Sequence, residues 1–91
     1  MEVSETGFNG LRIITPQVFG DHRGYFYESF SRKAYTAAGF GQDFVQDNQS
    51  ASLRGVIRGL HYQLEPYAQS KLVRAIAGTI YDVVVDIRRG S

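Results

Sequence analysis

An all-β fold, an antiparallel barrel or sandwich carrying one short helix, is what the sequence predicts. Three observations carry the prediction: frequent short apolar or aromatic runs, turn residues between them, and a single stretch with helix-capping signals at both ends. Hydrophobic residues make up 43% of the 91 positions and aromatics 13%, with six Tyr and six Phe, a mix that favours a packed, β-leaning chain over a disordered one.

Taken in order, residues 11–15 form a short apolar run stopped by Pro16, as suits a first or edge strand, because proline has no N–H to give a ladder. Asp21-His22-Arg23-Gly24 reads as a turn. Residues 25–30 are aromatic-rich, and strand alternation places Phe26, Glu28 and Phe30 on one face and Tyr25, Tyr27 and Ser29 on the other. Ser31 is suited to cap a helix over residues 32–38, and Gly39 to stop it.

Residues 44–50 are expected to extend with Gln46, Asn48 and Ser50 on one face, too polar for a core strand and better suited to lining a pocket. Residues 56–63 read as the next strand, weakened locally by Gly55 and Gly59. Residues 64–70, with Pro66, form a loop. Residues 71–76 and 79–87 are then two strong strands spaced by Ala77-Gly78 as in a two-residue hairpin. The tally is about five or six strands, where a closed jelly roll uses eight, so the barrel is expected to be incomplete in this chain.

Composition excludes several classes of function. Ten Lys plus Arg against nine Asp plus Glu leave a net charge of +1, so no global field draws the chain to nucleic acid or a membrane, and an anion site must be built locally. The lack of Cys removes disulfides and thiolate metal sites. No apolar run approaches a membrane helix, and the first ten residues, with Glu2 and Glu5, lack the order of a signal peptide; a cytoplasmic location is expected. No metal is expected, since neither His22 nor His61 has a second His or a carboxylate at ligand spacing.

On its own, His61 reads as a half-buried strand residue whose imidazole satisfies a backbone group. Its surroundings change that reading. Arg54, Arg58 and Lys71, with Gln46, Asn48 and Gln63, lie in the expected strands or at their edges, where cations among apolar residues point at an anion. The plainer reading is solvation for the two arginines and an edge charge that deters aggregation for Lys71. Asp82 and Asp86 share a face of residues 79–87 with Ile80 and Val84; a strand apolar on both faces is covered on both, so each Asp calls for a cationic partner.

These residues fall into a family pattern. Gln46-Asp47-Asn48, the run from Arg54 through His61-Tyr62-Gln63, Gln69-Ser70-Lys71-Leu72-Val73-Arg74, and Asp82 through Arg88-Arg89-Gly90-Ser91 resemble the dTDP-4-dehydrorhamnose 3,5-epimerases. The likeness extends upstream through Phe19, Asp21, Arg23-Gly24, Phe26 and Glu28, covering nearly all of the chain from Leu11 onward. Gln49 departs from it, where His is expected. The resemblance implies a cupin-type jelly-roll β-barrel in a single domain over residues 1–91. It also implies that members run well past Arg-Arg-Gly-Ser, with the later part supplying further barrel strands and a catalytic Tyr.

The activity the resemblance implies is base-catalysed epimerisation at C3 and C5 of dTDP-4-dehydro-6-deoxy-D-glucose, without a cofactor. Both carbons flank the C4 carbonyl, so loss of either proton gives an enolate, and histidine suits the base because imidazole titrates near neutrality. His61 matches the base. Lys71 matches the residue that stabilises charge on the C4 oxygen, and Asp82 is the candidate to orient His61. Gln46, Asn48 and Arg58 match contacts to the nucleotide diphosphate and sugar. Arg23, Phe26 and Glu28 match a segment exchanged across a homodimer, with Phe26 on thymine. The acid on the opposite face of the sugar, a Tyr in the family, has no match among the six Tyr present. Strict alternation does not put Arg58 and His61 on one face, so a bulge near Gly59 or a reach around the strand edge is required.

Two other readings stay open on the sequence. One is another sugar-nucleotide isomerase of the same fold, differing in its acid; the other is a non-catalytic fragment that binds a nucleotide sugar. Taken alone, these 91 residues are expected to be inactive and to associate.

Overall fold

The computed structural model describes all 91 residues, which divide into two compact units, Met1–Gly41 with Thr79–Ser91, and Gln42–Gly78. Four strands, β1 (Glu2–Glu5), β2 (Arg12–Thr15), β3 (Val18–Asp21) and β4 (Gly24–Tyr27), and one helix, α1 (Arg32–Ala37), all lie in the first unit. The strands form two separate antiparallel pairs, β1 with β2 and β3 with β4, and close no barrel.

β1, with a single apolar residue in Glu-Val-Ser-Glu, carries no strand signal of its own. β2 supplies it: Glu2 pairs with Thr15 and Glu5 with Arg12. The intervening turn is organised by Thr6, whose hydroxyl donates to the Leu11 carbonyl at 2.7 Å and accepts the Phe8 N–H at 3.1 Å. Pro16 ends β2 as expected, and it also bounds the second hairpin. The β3–β4 register runs from Asp21 opposite Gly24 to Val18 opposite Tyr27, so one more pair would involve Gln17 and a further one Pro16, which has no N–H to donate. The ladder therefore stops at Tyr27, short of the expected end at residue 30. Alternation holds within it, because Tyr25 and Tyr27 stack on one face with ring centroids 6.0 Å apart.

The turn between β3 and β4 is His22-Arg23, and neither residue takes positive φ; that conformation falls on Gly24 at φ 133°, where a side chain would be strained. Two-residue hairpins usually rely on mirror-image turns. Here Asp21 closes the turn, its Oδ1 accepting the Arg23 backbone N–H at 2.9 Å.

The helix follows its local signals closely. Ser31, in an extended conformation, accepts the Ala34 N–H through its hydroxyl at 3.2 Å. At the other end Ala38 is the cap and Gly39 takes φ 94°. The Phe40 N–H reaches the Tyr35 carbonyl at 2.9 Å and the Gly39 N–H the Thr36 carbonyl at 3.1 Å, a Schellman closure with its customary apolar contact, Phe40 against Tyr35. Tyr35 is the one buried hydrophobic residue. Phe30 meets it edge-on at 4.8 Å, and the Tyr35 hydroxyl donates to the Ser29 carbonyl at 3.2 Å. Arg12 lies over the Phe40 ring at 5.1 Å while its Nε stands 2.9 Å from Glu5, tying the first hairpin to this small core.

Residues 44–50, 56–63, 71–76 and 79–87, expected as strands, run outside any ladder, and Ala77-Gly78 lies in a bend rather than a hairpin turn. Apolar alternation states which sides of a segment should be covered. A strand forms only where a neighbouring backbone presents N–H and C=O groups about 4.8 Å away. Within Gln42–Gly78 the backbone bonds are those of two turns, Val56 to Leu53 at 3.2 Å and Tyr67 to Leu64 at 2.8 Å, which bind residues near in sequence. Side chains meant for burial stay in solvent as a result: Ile57 is 93% and Tyr81 94% exposed.

Candidate functional site

The residues singled out in the sequence fall into both units. Arg23, Phe26, Glu28 and Asp82 belong to the first, and Gln46, Asn48, Arg58, His61 and Lys71 to the second. All nine are exposed. His61 and Lys71 stand on irregular backbone where strands were expected, as does Asp82.

Within Gln42–Gly78, the structure pairs two of the predicted binding residues, Gln46 donating through Nε2 to Asn48 Oδ1 at 3.2 Å. The i, i+2 relation expected of an extended segment is thus kept without a sheet. Arg58 is held locally: its Nε donates to Ser52 Oγ at 2.9 Å and its Nη2 to the Ala51 carbonyl at 3.2 Å. Ser52 carried no signal in the sequence, because a serine six positions from an arginine has no fixed geometry until the turn at residues 53–56 folds the chain back. Gly59 takes φ 121°, so the backbone between Arg58 and His61 departs from the strict alternation that would separate their faces.

In the first unit, Phe26 lies in β4 and is 69% exposed. Glu28 falls just beyond the strand. Arg23 folds back on Asp21 at the hairpin tip, its Nε 3.2 Å and 3.1 Å from the two carboxylate oxygens, with Nη2 on Oδ2. This pair holds the Asp21 carboxyl below the usual range and the guanidinium above its own.

The same Asp-x-Arg arrangement recurs near the C-terminus. Asp86 takes the Arg88 backbone N–H at 3.0 Å, Arg88 Nε at 2.9 Å and Nη2 at 2.7 Å, and Nη2 reaches the Asn9 carbonyl at 2.8 Å. Asp86 thus has the cationic partner expected of it, supplied from two residues away. Residues 7–9 and the segment around this pair line an open hollow of about 820 Å³, to which none of the predicted site residues contributes.

The Arg88 side chain and N–H hold the Asp86 carboxyl down to about 2 from an ordinary 3.8. A depressed carboxyl stabilises the folded chain at pH above 3.8, and that contribution is lost as pH falls through about 2. A carbon-detected NMR titration of Asp86 is expected to show its midpoint near 2, returning toward 3.8 in Arg88→Ala. A wild-type midpoint already at 3.8 would refute the clamp.

Comparison with known proteins agrees with the motif pattern. The family model for dTDP-4-dehydrorhamnose 3,5-epimerase matches residues 5–91. Proteins of that name are similar along the chain. The one from Shigella flexneri is 55% identical, with 100% of this chain and 51% of the relative covered. The one from Pseudomonas aeruginosa is 50% identical over 100% and 50%, and the one from Methanothermobacter thermautotrophicus 51% identical over 96% and 46%. The chain therefore spans about half the length of the curated relatives it matches. No solved structure matches it significantly. On the strength of a family match from residue 5 to residue 91, the chain belongs to the dTDP-4-dehydrorhamnose 3,5-epimerase family.

Proposed function

We propose that the full-length protein containing this chain converts dTDP-4-dehydro-6-deoxy-D-glucose to dTDP-4-dehydro-L-rhamnose by epimerisation at C3 and C5. The observation that carries the reading is the family match over residues 5–91, which takes in every residue assigned a role. His61 removes the proton from C3 and from C5, the two carbons acidified by the shared C4 carbonyl. Lys71 stabilises the oxygen of the enolate each removal creates. Asp82 orients His61 and favours its protonated form once the proton has been taken. Return of a proton from the opposite face needs an acid, for which this chain offers no assigned residue.

Binding is the work of charged and planar side chains. Arg58 engages the diphosphate as a fork, exchanging its local Ser52 and Ala51 partners for phosphate oxygens, a stronger, charge-assisted set. Gln46 and Asn48, already joined, face the nucleotide sugar. Arg23, Phe26 and Glu28 reach a neighbouring subunit's site in a homodimer, Phe26 stacking on thymine. The reading places these residues on a cupin-type jelly roll in a cytoplasmic enzyme that needs no metal.

Incubation of the full-length protein with the nucleotide sugar in deuterium oxide tests it. Deuterium is expected at both C3 and C5, with the inverted product captured by a coupled reductase. Exchange at one carbon alone would indicate a single-centre epimerase, and nucleotide binding without exchange a binding protein; either would displace the proposal.

A further inference from the structure

The β3–β4 turn holds its arginine in a particular way. Asp21 occupies the Nε–Nη2 side of the Arg23 guanidinium, while the backbone N–H of the same arginine donates to Oδ1 at 2.9 Å. A guanidinium has five N–H groups in one plane, of which this leaves the Nη1 pair and the second Nη2 hydrogen. Those donors form the end-on edge, suited to two oxygens of a phosphate. Arg23 is 78% exposed on its side chain, so that edge is open to solvent.

We propose that Asp21 is a positioning residue for the nucleotide diphosphate: it orders Arg23 at the hairpin tip so that the end-on edge of the guanidinium faces the anion. The inference rests on the functional reading above, in which Arg23 contacts the substrate. Two effects of the carboxylate oppose each other. It repels an incoming phosphate, but in solvent that repulsion is weak and screened. It also restricts an arginine that would otherwise lose much rotamer freedom on binding, and the backbone bond fixes where the clamp starts. Ordering outweighs repulsion because the anion approaches the far edge while the carboxylate sits on the near one.

The test is calorimetry of thymidine diphosphate with the full-length protein, combined with kinetics on the nucleotide sugar. Asp21→Asn keeps an oxygen for the Arg23 N–H but removes the charged clamp. It is expected to weaken binding about three- to five-fold, the range of an exposed ion pair, and to raise KM alike while kcat holds. In the Arg23→Ala background, Asp21→Asn should change nothing further, whereas with Arg23 present Asp21→Glu should keep part of the binding that Asp21→Asn loses. Unchanged or tighter binding in Asp21→Asn, or an equal loss with Arg23 already removed, overturns the positioning role and leaves the functional reading in place. Wild-type binding untouched by Arg23→Ala removes the Arg23 contact and this inference with it. Failure of the wild type to bind thymidine diphosphate overturns both.

Discussion

His61→Ala in the full-length protein is expected to lower turnover about 10²- to 10⁴-fold, the range that a positioned general base contributes. Deuterium wash-in at C3 and C5 should fall together, because one base serves two carbons that share an acidifying carbonyl. Affinity for thymidine diphosphate should stay close to wild type, since the base meets the sugar rather than the phosphates. Parallel measurement of isotope exchange by NMR and of inverted product separates the steps. Loss of inversion with exchange intact would move the base elsewhere and make His61 an acid or a positioning group. Loss of exchange at C5 alone would mean that C3 has its own base.

Lys71→Ala should reduce kcat about 10²- to 10³-fold, the cost of removing one donor to a developing oxyanion. KM should change little. The reason is one of timing: the C4 oxygen is an uncharged carbonyl in the bound substrate and carries a full charge only as the enolate, so an ammonium there acts on the barrier more than on the ground state. Lys71→Arg retains charge but replaces a compact ammonium with a wide planar fork and should recover only part of the rate. A loss confined to KM, with kcat intact, would assign Lys71 to the phosphates.

What the sequence made legible follows the distance over which each signal acts. The helix was legible to within a residue because Ser31 and Gly39 settle its ends through bonds to neighbours three to five positions away. The turn at Asp21-His22-Arg23-Gly24 was legible for the same reason. β1 was missed because its pairing comes from β2, across the turn, and not from its own apolar content. Residues 79–87 show the opposite error: a strong strand pattern with no ladder, in which Val83, Val84 and Val85 all stay about half exposed. The family was legible from the order of its motifs, as the match over residues 5–91 bears out. The partners that Arg58 and Arg23 take up were not, because they arise from turns.

The core around Tyr35 has a consequence for the order of folding. Three contacts there, those of Tyr35 with Phe30, Ser29 and Phe40, span at most six positions. Closing loops that short takes on the order of 10–100 ns, far less than long-range strand pairing requires. A nascent chain can therefore form this cluster once Phe40 has left the ribosome, before His61 or Lys71 has emerged. Helix α1 then serves as an early anchor onto which the first hairpin docks through Arg12 and Phe40, and the residues assigned to chemistry are added to a chain whose first ordered element is already in place.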